Sequence, residues 1–201
     1  MIEVQEIQKE FNGIKVLEGI SFRVDDNNGL FIIGSSGCGK STLLRIIAGF
    51  DYEYSGEISI NGKKIDKKLS PNQRDIGIVF QDPTLWNHMT VKQNVSYGMM
   101  YKREERILEV VNGLQIEHLL HKYPEEISGG QAMRVSLARA LLSDKGNLLL
   151  DEPLSNVDVQ TKQIIMDYLR ENYCNSKCII YVTHDRGEVK GLPFKILDIG
   201  K

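Results

Sequence analysis

The sequence has few cysteines, no long apolar run and no excess of charge of one sign. Its three cysteines, an odd number, do not suggest a disulfide framework. No apolar run approaches the roughly 20 residues of a membrane span, and the first residues do not begin a signal peptide. A formal net charge of −2 gives no general attraction to nucleic acid or to an acidic membrane surface. We therefore expect a soluble, cytoplasmic protein that does not bind nucleic acid.

Two of the cysteines, Cys174 and Cys178, are four residues apart and could face the same way on a helix. Without a nearby histidine or a further cysteine pair, packing is a better interpretation of them than a metal site. The 201 residues suffice for one large domain or for a core with a small lobe.

A glycine-rich segment between an apolar run and a helix carries the strongest signal. Its residues are Gly34, Ser35, Ser36, Gly37, Cys38, Gly39, Lys40, Ser41 and Thr42. The backbone N–H groups of such a loop, and the positive end of the helix behind it, attract phosphate groups. Lys40 supplies a point charge to the terminal phosphates, and the Ser41 hydroxyl can bind Mg²⁺. The pattern predicts binding of a nucleoside triphosphate, the alternative being a glycine-rich turn that binds nothing.

Three further apolar segments predict buried strands, and polar residues follow each of them. Gln81 follows the first, Asp151 and Glu152 the second, and His184 the third. Ligands of open α/β sheets gather at the carboxyl ends of the strands. Asp151 is thus a candidate for binding Mg²⁺, Glu152 for polarising water and His184 for facing the phosphates. Gln81, taken alone, is better interpreted as a turn or capping residue.

A second candidate anion site is the start of a long predicted helix. It consists of Ser128, Gly129, Gly130 and Gln131. Ser128 suits the N-cap, and the two glycines would present bare backbone donors at the positive end of the helix. Because a cap needs only the serine and glycine weakens a helix, the pair favours a site for an anion.

The first 26 residues alternate apolar and polar side chains, which predicts two strands joined at the turn Asn12-Gly13. Phe11 ends the first strand, where an aromatic side chain, taken alone, more often belongs to the core than to a ligand site. From Thr90 to Leu120 the sequence is helical in character, with a charged face that includes Lys102.

Together, these motifs resemble the nucleotide-binding subunit of ATP-binding-cassette (ABC) transporters, over nearly the whole chain. The most specific match is Ile-Ser-Gly-Gly-Gln at residues 127–131, similar to the family signature Leu-Ser-Gly-Gly-Gln. The resemblance implies an α/β fold: a phosphate-loop NTPase core with a mostly parallel sheet, an antiparallel β lobe and an inserted α-helical lobe. It further implies a single domain at residues 1–201, with the helical lobe at about residues 86–144.

The resemblance also implies roles for single residues. Phe11 matches the aromatic residue that stacks on adenine, although tyrosine is more usual there. Gln81 matches the glutamine that touches Mg²⁺ and relays to the membrane subunit. Asp151 and Glu152 match the metal-binding aspartate and the catalytic base. His184 matches the switch histidine that contacts the γ-phosphate.

Asp158 belongs to a segment, residues 155–158, that resembles the loop crossing the interface of a head-to-tail dimer. The partner is a second copy or a paired ABC subunit. ATP and Mg²⁺ are the implied cofactors, and each of two ATP molecules is clamped between the phosphate loop of one chain and residues 128–131 of the other.

Residues 79–95 are similar to bacterial uptake systems for small solutes. This likeness implies an ATPase that powers solute movement through integral-membrane permease subunits, on the inner face of the cell membrane. An extracytoplasmic solute-binding protein is a further implied partner. Such importers often carry a C-terminal regulatory domain, which we do not expect here because the sequence given stops at Lys201.

Two alternatives remain at this stage. A soluble ABC ATPase that acts on nucleic acid or ribosomes usually has coiled-coil insertions or two cassettes, and this sequence has neither. A non-hydrolysing regulatory subunit is disfavoured because Lys40, Glu152 and His184 are all present.

Overall fold

The computed structural model of the protein describes residues 1–101 and 103–200. Lys102, part of the predicted charged face, and Lys201 lie outside the described residues. The strands are β1 (Ile2–Phe11), β2 (Ile14–Val24), β3 (Gly29–Ile33), β4 (Ser55–Ile60), β5 (Lys63–Lys64), β6 (Ile76–Val79), β7 (Asn147–Asp151), β8 (Cys178–Val182) and β9 (Lys195–Asp198). The helices are α1 (Lys40–Ala48), α2 (Val91–Ser96), α3 (Glu104–Gly113), α4 (Gly129–Leu142), α5 (Val159–Asn172) and α6 (Arg186–Val189).

An antiparallel sheet with the strand order β2-β1-β4-β5 forms one layer. β1 and β2 are joined by the predicted turn, in which Asn12 and Gly13 have φ values of 50° and 83°. Positive φ at both central positions suits the tight turn of a hairpin, because its twist matches that of the strands. Phe11 pairs with Ile14 directly across the turn.

A parallel sheet with the strand order β6-β7-β8-β3-β9 forms the second layer. Each pair of neighbouring strands in it is parallel. The carboxyl ends of all five strands therefore meet at one edge, which we call the carboxyl edge. β3, which leads into the phosphate loop, lies beside β8, and β8 lies beside β7.

The side chains of the parallel strands alternate between two cores, one on each face of the sheet. Leu30, Ile32 and Leu149 pack toward the antiparallel sheet and α1. Phe31 and Tyr181, with ring centroids 5.1 Å apart, pack toward the other helices. Both faces are covered, so β3, β7 and β8 are buried along their whole length and largely apolar, as is usual for parallel sheets. This architecture confirms the three-part α/β fold.

Between β6 and β7 the chain forms several separate helices, and the helical structure is less continuous than the sequence pattern predicts. This region contains α2, α3 and α4, with two short 3₁₀ turns, Glu117–Leu119 and Pro124–Glu126, between the last two. Thr90 caps α2 through a capping box with Gln93. The bounds of a lobe at about residues 86–144 stay a prediction. Within the described residues, no helix is long and apolar enough to span a bilayer.

The predicted common helix face of Cys174 and Cys178 is wrong. α5 ends at Asn172, before Cys174, whereas Cys178 is the first residue of β8. Both side chains are buried, which agrees with packing. Burial raises the pKa of each of these thiols to about 11.

The last turn of α1 is held by the buried side chain of Arg74. Its guanidinium donates to the carbonyl oxygens of Ile46 and Ile47, at 3.0 and 2.7 Å. Carbonyls at a helix C-terminus lack intrahelical partners, so this cation satisfies them. Gly49, the C-cap at a φ of 90°, leaves space for the guanidinium group, because a Cβ at this position would lie 2.5 Å from Arg74 Nε. The helix behind the phosphate loop is thereby fixed at its far end.

Candidate nucleotide-binding site

The phosphate loop is braced from inside by Lys40. Its side chain is 6% exposed, and Nζ donates to the carbonyl oxygens of Gly34 and Ser35 at 2.8 and 2.9 Å. The same ammonium group lies 3.9 Å from Cys38 Sγ. The positive charge is therefore held within the curve of the loop, beside the first turn of α1.

Two glycines of the loop have a left-handed backbone that favours glycine, and one of them is also closely surrounded. Gly39 has a φ of 97°, and a Cβ there would lie 2.8 Å from Leu17 Cδ2 and 2.9 Å from the carbonyl oxygen of Val16. Any side chain would thus strain the backbone and push against β2. Gly37, at a φ of 82°, has open space beside it.

A cleft of about 620 Å³ lies between the phosphate loop and β2. Its lining includes Ser35 and Cys38 from the loop and Ile14 from the hairpin. Phe11, which pairs with Ile14, is 47% exposed, and Lys9 Nζ lies 4.6 Å from the centroid of its ring. Phe11 is therefore a surface residue and not part of the core. Its place beside a loop-lined cleft suits a contact with a flat ligand group.

Asp151, the last residue of β7, is 5% exposed. Burial raises the pKa of its carboxyl group, whereas the Ser41 hydroxyl beside it lowers that pKa. A buried carboxylate next to a hydroxyl group is a hard oxygen environment that would be stabilised by a divalent cation. These two groups fit Mg²⁺, which prefers oxygen ligands and keeps several of its waters.

Glu152 follows at once and has an unusual backbone, with a φ of 48°. For a residue with a side chain this left-handed conformation costs about 1–2 kcal/mol. Its N–H donates to the carbonyl oxygen of Val182 on β8, at 3.0 Å. Its Oε1 lies 2.9 Å from His184 Nδ1, so the carboxylate and the imidazole are hydrogen-bonded across the sheet edge. Backbone strain of this kind is concentrated at functional positions.

Gln81 is exposed and follows β6 by two residues. The sheet order therefore brings four predicted groups to the carboxyl edge from adjacent strands. These groups are Gln81 after β6, Asp151 and Glu152 at β7, His184 after β8 and the phosphate loop after β3.

Residues 128–131 form a separate group at the start of α4. Ser128 caps the helix: its Oγ accepts from the N–H of Gln131, and Gln131 Oε1 accepts from the N–H of Ser128. Gly129 has open space beside it, whereas a Cβ on Gly130 would lie 2.4 Å from the carbonyl oxygen of Asn156. The predicted cap is confirmed. Gly130 has, in addition, a packing reason that the sequence did not reveal.

This difference predicts unequal effects of alanine at the two glycines. Gly130→Ala should push the segment at residues 155–158 away from α4 and lower the free energy of unfolding by about 1–3 kcal/mol. Gly129→Ala, facing open space, should change it by less than about 0.5 kcal/mol. Denaturant unfolding of the two variants checks this. Equal destabilisation would contradict the contact between Gly130 and the carbonyl oxygen of Asn156.

Asp158 is the N-cap of α5, and its Oδ1 accepts from the N–H of Thr161 at 2.9 Å. Hydrogen bonding to Thr161 lowers the pKa of the Asp158 carboxyl group. Val159 next to it is 84% exposed. The local role of Asp158 is therefore to cap α5, and its place at a dimer interface stays a prediction.

A set of ion pairs beside His184 was missed by the sequence analysis. It joins Lys162 on α5 to Asp185 and Glu188, which flank the first turn of α6. The spacing of three between the two acidic residues could have indicated a shared helix face. Nothing in the sequence indicates that a lysine on another helix meets them.

The fold and this site together define a phosphate-loop nucleotide-binding domain of the α/β class. The family described as ABC transporter matches residues 17–155. The sn-glycerol-3-phosphate import ATP-binding protein UgpC of Cereibacter sphaeroides is 39% identical over 98% of this chain and 58% of its own length. The xylose/arabinose import ATP-binding protein XacJ of Haloferax volcanii is 38% identical over 97% of this chain and 53% of its own length.

Among solved structures, the ATP-binding cassette MJ0796 in a dimeric post-hydrolysis state bound to ADP and Pi is similar. It has a TM-score of 0.85 and 29% identity, over 98% of this chain and 94% of that one. The chain belongs to the ABC transporter family, which confirms the resemblance seen in the sequence. It spans little more than half the length of the curated relatives that it matches.

Proposed function

We propose that the chain binds ATP with Mg²⁺, hydrolyses it to ADP and phosphate, and thereby powers the movement of a small solute through partner permease subunits. One observation carries the proposal. Four adjacent parallel strands bring the phosphate loop, the acidic pair, His184 and Gln81 to the carboxyl edge. In open α/β sheets this is where ligands bind.

The phosphate loop and the β1–β2 hairpin bind the ATP. Residues 34–42 and the first turn of α1 direct backbone N–H groups and Lys40 at the phosphates. Phe11, exposed beside the cleft, stacks on adenine, which contributes on the order of 1–3 kcal/mol by analogy with base–aromatic contacts.

Mg²⁺ would be held by Asp151, Ser41 and Gln81. No cluster of three or more His, Cys, Asp or Glu side chains suited to a metal occurs among the described residues. A site with few protein ligands suits Mg²⁺, which is commonly bound through one or two carboxylates plus substrate phosphates. When bound, the ion neutralises charge on the phosphate oxygens.

Hydrolysis depends on Glu152 and His184. Glu152 orients a water molecule toward the γ-phosphate and accepts its proton, as a general base does. The hydrogen bond of 2.9 Å from His184 fixes the direction of this carboxylate. Because His184 is exposed, its ring also remains accessible to the terminal phosphate.

A dimer explains why two anion-binding groups occur in one chain. Ser128, Gly129, Gly130 and Gln131 start α4, whereas the phosphate loop starts α1. We propose that residues 128–131 and Asp158 of one copy cover the nucleotide of the other, so that both sites are related by a two-fold axis. The dimeric state of the similar cassette MJ0796 supports this arrangement. A paired ABC subunit could replace the second copy.

Relatives named as import ATP-binding proteins for sn-glycerol-3-phosphate and for xylose or arabinose support uptake of a small polar solute. The chain would act at the inner face of the cell membrane, with integral-membrane permeases and an extracytoplasmic solute-binding protein as partners. The solute itself would be selected by those partners.

Affinity purification of the tagged chain from detergent-solubilised membranes tests the proposal, with ATP hydrolysis assayed in the same preparation. We expect two hydrophobic permease chains to co-purify, together with an ATPase activity that requires Mg²⁺. If the chain co-purifies with ribosomes or nucleic acid and without permeases, it would instead be assigned to the ABC ATPases that do not act in transport.

A further inference from the structure

A network of ion pairs lies directly behind His184 and is centred on Lys162 of α5. Lys162 Nζ lies 2.9 Å from Asp185 Oδ2 and 2.7 Å from Glu188 Oε1. The Lys162 side chain is 18% exposed, and the Glu188 side chain is 2% exposed. Pairs with such burial are costly to break, because one partner is left as an unpaired charge.

Both oxygens of the Glu188 carboxylate are in use. Oε2 accepts a hydrogen bond of 3.1 Å from the hydroxyl group of Tyr181, a buried residue of β8. Tyr181 in turn packs against Phe31 of β3, with ring centroids 5.1 Å apart. Glu188 therefore ties α5 and α6 to β8 and, through the ring of Tyr181, to β3.

Asp185 fixes the backbone on the C-terminal side of His184. Its Oδ1 accepts from the N–H of Gly187 at 2.7 Å, and its own N–H donates to Thr183 Oγ1 at 3.0 Å. Its other carboxylate oxygen is the one bound by Lys162. His184 thus stands between two anchored residues, although its own ring is exposed and hydrogen-bonded to Glu152.

The first turn of α5, which runs from Asp158 to Lys162, starts at the predicted interface loop. The backbone N–H of Lys162 donates to the carbonyl oxygen of Asp158 at 2.8 Å. Asp158 is the N-cap of α5 and closes the segment at residues 155–158. Glu152, Ser155, Lys162 and His184 also line one cleft of about 430 Å³. Lys162 is the side chain that links this loop to the His184 turn.

We propose that Lys162 is a positioning residue for ATP hydrolysis: it holds His184, and through His184 the carboxylate of Glu152, in place relative to the loop at residues 155–158. The inference rests on the proposed function, since it assigns a support for that same site. Lys162 acts through the ion pairs and touches neither nucleotide nor metal in this role.

The test is the steady-state ATPase activity of Lys162→Met, which keeps the apolar stem and removes the charge. We expect kcat to fall roughly tenfold or more while KM for ATP changes less than about twofold, because the phosphate loop is untouched. Lys162→Arg, which keeps the cation, should recover most of kcat. Lys190→Met, which removes the charge of an exposed lysine just after α6, should leave kcat unchanged.

A double-mutant cycle with His184→Ala separates positioning from general stability. If Lys162 acts through His184, Lys162→Met should lower kcat by less than about twofold in the His184→Ala background. Equal losses of kcat with and without His184 would overturn the proposal, as would a rise in KM with constant kcat. A wild-type chain without ATPase activity would instead refute the proposed function.

Thermal unfolding of each variant serves as the control that it is folded. If Lys162→Met does not fold, Lys162→Met/Glu188→Gln removes the uncompensated buried carboxylate together with its partner. This double variant should show the same loss of kcat, with the same dependence on His184. Wild-type kcat in the folded double variant would overturn the proposal.

Discussion

Glu152→Gln is expected to lower ATP turnover by roughly 10²–10⁴-fold, the usual contribution of a positioned general base. The substitution keeps the size of the side chain and an oxygen atom that can still contact His184 Nδ1. In the wild-type chain, Glu152 Oε1 lies 2.9 Å from that nitrogen. It removes the negative charge that accepts the proton of water. The affinity for ATP should change little, because Lys40, Ser41 and Asp151 are untouched.

The same variant should accumulate as a dimer when ATP is present. ATP that is not hydrolysed would keep residues 128–131 of each copy against the nucleotide of the other. Size-exclusion chromatography with and without Mg-ATP measures the shift, and Ser128→Arg in the same chain should abolish it. Glu171→Gln, the same change at an exposed position of α5, should leave both turnover and mass unchanged.

Two outcomes would count against these roles. Wild-type turnover in Glu152→Gln would remove Glu152 from the catalytic step. A catalytically impaired variant that stays monomeric at saturating ATP would count against the proposed dimer, without touching the assignment of the base.

Lys40→Ala is expected to abolish measurable ATP binding. The variant loses the compact cation of the loop and also the two hydrogen bonds by which Nζ holds the carbonyl groups of Gly34 and Ser35. With these bonds gone, the loop loses both its charge and the support of its curved shape. Titration with a fluorescent ATP analogue measures the effect.

Lys177→Ala is a matched control for Lys40→Ala. Lys177 is also partly buried and donates to a backbone carbonyl group, that of Ser143. It precedes β8 and so lies at the edge of the sheet opposite the phosphate loop. This variant should still bind the analogue. Equal binding by Lys40→Ala and the wild type would show that the phosphate loop is wrongly assigned.

The sequence predicts the strands and the helix starts well, because these depend on local patterns. Short apolar runs mark the buried strands, Asn12-Gly13 marks the hairpin, and Ser128 with Gln131 marks the capping box of α4. The region from Thr90 to Leu120 was less well predicted, since its helical spacing does not show where the chain leaves the helix.

The contacts between distant segments could not be predicted from local patterns. The left-handed backbone of Glu152 and its contact with His184 depend on β7 lying beside β8. The packing of Gly130 against the carbonyl oxygen of Asn156 depends on where α4 meets the loop before α5. Sequence patterns supply the residue types, whereas these geometries arise from the sheet order.

The position of β3 in the parallel sheet has a consequence for the order of folding. β3 pairs with β8 and β9, with Leu30 opposite Ile180 and Lys195. Contacts over such long stretches of sequence carry a large loop-closure cost and form slowly. On the ribosome, the phosphate-loop strand therefore emerges early but waits for both of its neighbours. Until they are synthesised, both edges of this apolar strand are unpaired, so the nascent chain needs protection from aggregation at this segment.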